Sequence, residues 1–151
     1  MTHNDPVVGP GERIKAVAAL EILLRIWREA VDCFPDDDLE TILIYLTVAA
    51  ASSSRHLRDP GLIAELDRSP LPDHLHRPTS GRAIAEATGL PRETVRRRLE
   101  SLVASNRLNR DPQGVRTTTG VILQGQNLRF ARSLVRELTS ASDRIGRFDR
   151  A

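Results

Sequence analysis

The chain has 151 residues, with 22 basic and 20 acidic side chains, a formal net charge of +2 and a single cysteine. That length suits one folding unit, either a full core or a smaller core with arms, and the lone cysteine excludes an internal disulfide and any zinc site built on cysteines. No apolar run approaches the roughly 20 residues that span a bilayer, and no basic region, apolar run and cleavage site combine near the start, so a cytoplasmic protein with no membrane partner is expected.

Residues 1–11 are polar, with Pro6, Gly9, Pro10 and Gly11, and read as a disordered arm. From Glu12 to Phe34 the residues Val17, Leu20, Leu24, Trp27, Val31 and Phe34 recur at alternating spacings of three and four, the pattern that pairs helices. A second line, Ala19, Leu23, Ile26 and Ala30, lies beside it, which makes the apolar face too wide for one neighbour. Cys33 sits among Val31 and Phe34 at the end of this helix, where packing is expected rather than redox sensing. Pro35 ends the helix, and Asp36, Asp37 and Asp38 start the next by capping it and complementing its positive end. That helix, Leu39 to Leu57, is apolar on nearly all sides and belongs at the centre of a core. Asp59-Pro60-Gly61 breaks it, so residues 12–60 form a helical core and dimerisation segment. Residues 61–79 are a semi-rigid connection with a short helix at Leu62 to Leu66, followed by Pro70, Pro72 and Pro78. There is no internal repeat.

The stretch from Ser80 to Leu102 fits two helices meeting at a tight turn. Ser80 caps a helix from Gly81 to Thr88, Ile84 and the small Ala85 face inward, and Gly89 takes the left-handed conformation that stops it. Leu90 fills the corner and Pro91 presets the next helix. Val95, Leu99, Leu102 and Val103 then form an amphipathic stripe, opposite which the outward face is centred on Arg97, with Glu93, Thr94, Glu100 and Ser101 beside it and Arg96 and Arg98 flanking. Central side chains on such a face suit base edges, and flanking cations suit phosphates. A left-handed cap is expected near Asn106. Leu108 to Arg110 and Val115 to Thr118 bracket the turn sequence Asp111-Pro112-Gln113-Gly114, so a small hairpin, a wing, follows directly and carries Arg110 and Arg116. Residues 80–118 thus read as a winged helix-turn-helix. In residues 119–151, Gly120 to Gly125 shows no clear pattern, and a helix from about Gln126 to Ile145 carries Leu128, Ala131, Val135, Leu138 and Ile145 as a near-heptad line, a second dimerisation helix.

Charge distribution agrees with this reading. Residues 1–76 hold 7 basic and 13 acidic side chains, residues 77–116 hold 9 and 4, and residues 117–151 hold 6 and 3, so the basic surplus coincides with the two-helix unit. All the cations but Lys15 are arginine, which favours bidentate contacts to phosphate or guanine.

The run Arg92-Glu93-Thr94-Val95-Arg96-Arg97 resembles the recognition helix of the cyclic-AMP receptor type regulators, whose winged domain carries Arg-Glu-Thr-Val, any residue, Arg. The resemblance implies that Arg92, Glu93 and Arg97 sit where that family reads bases. It covers about a quarter of the chain, and no glycine-rich β-roll precedes it, so the effector chemistry of that family does not carry over. In layout, with helices before and after a central winged unit, the chain resembles the multiple-antibiotic-resistance regulator group.

Other constellations carry less. Asp73-His74-Leu75-His76 lacks a third nearby ligand for a metal, Asp36-Asp37-Asp38 lacks the spacing of a calcium loop, and Ser52 to Ser54 near His56 lack an oriented acid and oxyanion donors. No enzyme activity, metal or cofactor is expected. Trp27, Tyr45 and His56 are candidates to line a small-molecule effector pocket between the core helices, with plain core packing the alternative. The expectation is a mainly α protein, a homodimeric, sequence-specific regulator that binds double-stranded DNA. Arg92, Glu93, Thr94 and Arg97 would read bases, and Ser80, Arg96, Arg98, Arg110 and Arg116 would touch phosphates. The alternatives are a winged-helix adaptor that binds another protein and not DNA, and an RNA-binding winged domain. Retention on random duplex DNA in low salt separates the adaptor from the regulator.

Overall fold

The computed structural model describes residues 9, 11–54, 58–66, 69, 72–121 and 124–148. It is mainly helical with one small antiparallel sheet: α1 (Glu12–Cys33), α2 (Leu39–Ser53), α3 (Pro60–Leu66), α4 (Gly81–Thr88), α5 (Arg92–Ala104), β1 (Leu108–Asp111), β2 (Gly114–Thr117) and α6 (Gly125–Arg147). No helix among the described residues is long and apolar enough to cross a membrane. Most of the arm expected at residues 1–11 lies outside the described residues, although Gly9 donates its N–H to the Glu12 carboxylate and Gly11 opens α1 in the left-handed conformation.

Capping follows the sequence closely. Asp38 accepts from both the backbone N–H (2.9 Å) and the hydroxyl (2.6 Å) of Thr41 and so starts α2. Ser80 accepts from the N–H of Ala83 at 3.2 Å, and Gly89 (φ 71°) closes α4 through its bond to the Ala85 carbonyl. Asn106 is the one non-glycine residue with positive φ among those described (58°). There the N–H of Arg107 reaches the Leu102 carbonyl and that of Asn106 reaches Val103, a Schellman closure that releases the chain into β1.

The core gathers around α2, whose Ile42, Ile44, Tyr45 and Val48 are fully buried, as its all-round apolar composition requires. Phe34 sits at the hub, its ring edge-on to Tyr45 and to Phe130 at 5.9 Å each. Cys33 is buried beside it. Ile84 and Ala85 of α4, and Val95, Leu99 and Leu102 of α5, complete the core from the other side, with Leu90 packed against them at the corner. The expected extension of α2 to Leu57 is not borne out: the helix ends at Ser53, and residues 55–57, with His56, lie outside the described residues.

The end of the 61–79 connection, from His76 to Thr79, is tied to the body of the protein. Thr79 pairs with Val115 through two backbone bonds of 2.8 and 3.0 Å, adding a third chain to the hairpin. His76 is buried with Nδ1 3.1 Å from the Thr117 hydroxyl, and Arg77 donates its N–H to the Ser52 carbonyl. Gly114 is obligatory for this arrangement: its φ is 147°, and a Cβ there would lie 2.2 Å from the Thr79 carbonyl oxygen.

α1 and α6 pack along one another in opposite directions, joined by Arg25–Glu137 (3.5 Å), Arg144–Glu21 (3.7 Å) and Arg129 donating to the Asp32 carbonyl. The faces they use differ from the predicted heptad lines. On α1 the buried residues are Ala18, Ile22, Ala30 and Cys33, while Val17, Leu20 and Leu24 are exposed; on α6 they are Phe130, Ser133 and Ala141, while Val135 and Leu138 are exposed.

Candidate nucleic-acid interface

α4 and α5 are joined by three residues, Gly89, Leu90 and Pro91, and cross where Ala85 leaves room for the Val95, Leu99 and Leu102 stripe. This burial turns the opposite face of α5 to solvent. Arg92, Glu93, Arg96, Arg97, Glu100 and Ser101 are exposed there, whereas Thr94 is half-buried. The hairpin follows at once; its two-residue loop is fixed by Asp111, which accepts from the N–H of Gln113 at 3.0 Å. Between α4, α5 and the hairpin lies an open groove of about 330 Å³ walled by Arg82, Arg92, Arg96 and Arg110, with Leu99 and Val115 at its floor.

The arginines divide into those already engaged and those still available. Arg98, expected on phosphate, instead turns inward to Asp38 and to Glu40 (3.4 Å), pinning α5 to the first turn of α2. Arg116, also expected on phosphate, holds Asp73 with two bonds of 2.6 and 2.9 Å, and Asp73 in turn accepts from Thr119. Both guanidinium groups are thus engaged within the protomer. Arg96 lies on the expected face but is bracketed by Glu93, through bonds of 2.6 and 2.9 Å, and by Glu100 at 2.6 Å. Its charge is therefore offset, and Glu93 accepts from Arg96 rather than standing free for a cytosine amino group. Arg92 and Arg110 have no hydrogen-bond or ion-pair partner among the described residues, and Arg97 has only the longer-range attraction of Asp38 and Glu93. Ser80 spends its hydroxyl on the helix cap.

Electrostatics follows these pairings. Hydrogen bonds from Arg96 hold the Glu93 carboxyl below its ordinary value, and those from Arg116 do the same for Asp73. Asp38 is lowered first by the Thr41 hydroxyl, against the opposing effect of its burial. The Arg96 guanidinium is raised by its two glutamates.

Two arginines escaped the sequence reading. Arg82, in the first turn of α4, walls the groove while bonded to Glu86 at 2.8 Å, and its i,i+4 spacing marks it only as a surface pair. Arg107 stacks over the Tyr45 ring at 4.4 Å and the Phe34 ring at 5.5 Å and donates to Asp37, so it belongs to the core. Nothing local in the sequence signals this, because its partners lie on α2 and in the segment between α1 and α2.

Of the three candidate effector residues, Trp27 and Tyr45 do not share the cavity that Tyr45 lines. Tyr45 lines a largely apolar cavity of about 220 Å³ between α2 and α6, with Phe34, Leu46, Asn127, Phe130 and Leu134. Trp27 is not among its walls, and His56 lies outside the described residues. Burial pushes the Tyr45 hydroxyl upward in pKa. Asp73 and His76, in the doubtful metal cluster, are instead occupied with Arg116 and Thr117. Comparisons with protein families, with characterised proteins and with solved structures give no match, which leaves the geometry of these residues as the ground for function.

Proposed function

We propose that the chain is a winged helix-turn-helix protein that binds double-stranded DNA in a sequence-dependent way and acts as a homodimeric transcriptional regulator. The observation that carries the reading is the outward face of α5, where Arg92 and Arg97, with Arg110 of the hairpin, are unpaired cations held on a helix whose other face is locked into the core. An exposed helix bearing free guanidinium groups fits the width of a major groove, and each guanidinium can make the bidentate bond to guanine O6 and N7. Arg97 at the centre and Arg92 in the first turn are the base readers; Arg110 and Arg82 border the groove and suit phosphates. Glu93 and Thr94 are secondary in this reading, since one is paired with Arg96 and the other is half-buried.

Dimerisation is supported by the large apolar side chains left open on α1 and α6, among them Leu24, Leu20, Val135 and Leu138. A two-fold dimer would present two α5 helices to successive major grooves, so its half-sites should be inverted and about 10 base pairs apart, or a multiple of that. The test is selection of bound sequences from a random duplex pool by the parent and by Arg97→Ala. The reading predicts an inverted repeat for the parent and a loss of preference at one base of each half-site for the variant, about 1–3 kcal/mol of discrimination. Equal enrichment of one motif by both would remove Arg97 from the readout, and no enrichment by either would favour the adaptor that binds a protein.

A further inference from the structure

α1 has two apolar faces, and only one of them is used within the protomer. Ala18, Ile22, Ile26, Ala30 and Cys33 turn inward, buried or half-buried. At 100° per residue, Val17, Leu20, Leu24, Trp27 and Val31 lie roughly 160° around the helix from that line. They run at the alternating three-four spacing of a coiled-coil seam. Four of the five are exposed, Leu20 at 59% and Leu24 at 67% with Val17 and Val31, and Trp27 is half-buried. A helix that already has an intramolecular neighbour and still carries a regular seam on its far side is built for a second helix.

The residues beside the seam specify that helix. With Val17, Leu24 and Val31 at one seam position and Leu20 and Trp27 at the other, the flanking positions are Glu21 and Arg28 on one side and Ala16, Leu23 and Ala30 on the other. In a parallel pair each flank meets the opposite flank, which would set Glu21 against Ala16 and Arg28 against Leu23, with no charge matched. In an antiparallel pair each flank meets its own kind, so Glu21 faces Arg28 of the second copy, twice; Ala30, on the other flank, stays buried in its own protomer and takes no part. Within the protomer both charges are exposed and make only loose ion pairs, Glu21–Arg144 at 3.7 Å and Arg28–Asp32 at 3.6 Å.

We infer that the occupant of this face is α1 of a second copy of the chain, antiparallel, with the two-fold axis passing between Arg25 and Ile26, Leu24 packed on Trp27 and Leu20 on Val31 across the axis. This deepens the homodimer reading and rests on it, but it can be tested without DNA. Cysteines placed at Leu20 and at Val31 on separate, differently tagged chains decide the orientation. In the antiparallel seam a mixture of Leu20→Cys and Val31→Cys chains forms a disulfide-linked heterodimer on mild oxidation. Either chain alone stays uncross-linked, because its own cysteines lie about 16 Å apart along the axis. Cys33 is buried and serves as the internal control. Leu24→Asp, at a position exposed in the protomer, is expected to halve the sedimenting mass with an unchanged helical circular dichroism signal. Glu21→Arg is expected to weaken the dimer about tenfold, and adding Arg28→Glu to restore it. Self-cross-linking of either single variant, a dimer whose mixture fails to cross-link, or a parent that sediments as a monomer at tens of micromolar would each overturn the inference. Sequence selection by the parent can succeed or fail independently of these outcomes, so failure of the seam and failure of the DNA reading remain distinguishable.

Discussion

Arg98 and Arg116 resemble Arg92 and Arg97 in sequence, yet their partners put them in a different class. A guanidinium bound to Asp38 and Glu40, or bidentate to Asp73, loses those bonds if it moves to a phosphate. Arg116→Ala and Arg98→Ala should therefore leave the salt dependence of duplex binding unchanged, whereas Arg110→Ala should weaken all sequences alike and reduce the salt slope. Arg107 is the most consequential of the engaged arginines. Stacked on two rings and paired with a largely buried Asp37, it should cost about 2–3 kcal/mol when replaced by alanine, read as a lower midpoint in urea. Gly114→Ala should destabilise by a similar amount or more, because its Cβ would collide with backbone and not with a side chain able to move aside. The engagement of Arg98, Arg107 and Arg116 was not legible, because helix phase tells which way a side chain leaves its own element, not which acidic residue tens of positions away meets it; the pairs of Arg96 with Glu93 and Glu100 are local and follow from their spacing.

At the scale of elements, the two-helix unit was legible because its signals are local. Ser80, Ala85, Gly89, Leu90, Asn106 and the Asp111–Gly114 turn each act within a few residues, and each stands where expected. Thr79 was not legible as a strand partner, since a single bridging residue between Pro78 and the Ser80 cap carries no periodicity. The terminal helices were legible as helices but not in the choice of face: of the buried Ala18, Ile22, Ala30 and Cys33 of α1 only Ala30 lies on either apolar line of the sequence, because packing against α6 and not periodicity decides the buried side. The caps and clasps also set an acid limit. Asp38, Asp73 and Glu93 are all held below their ordinary values, so the stability they confer is complete above about pH 5 and is lost as the pH falls further, through their lowered folded values. Thermal midpoints should be flat from about pH 7 to about pH 5 and fall below about pH 4. Replacing Asp38, whose cap starts α2, by alanine should lower the midpoint at neutral pH, at a cost of about 1 kcal/mol or more, and flatten part of the acid fall.

At the scale of the whole molecule, α2, α4, α5 and the hairpin share one core that turns α5 outward, and α1 and α6 join that core through Ala30, Cys33 and Phe130 while leaving large apolar side chains exposed along the rest of their length. The basic surplus of residues 77–116 overstates the charge available to the proposed DNA contact, because Arg98, Arg107 and Arg116 are engaged inside the fold and Arg96 is offset by two glutamates. The account therefore expects a moderate electrostatic footprint, on the order of four to six phosphates per dimer. The most direct test is the affinity of the parent for a labelled random-sequence duplex, measured by fluorescence anisotropy as salt is raised from about 50 to about 300 mM. The predicted result is binding whose logarithm falls with the logarithm of salt at a slope of roughly −4 to −5, with most of that slope lost in the Arg92, Arg97, Arg110 triple alanine variant and retained in Arg116→Ala. A slope near zero in the parent, or equal slopes in the parent and the triple variant, would contradict it.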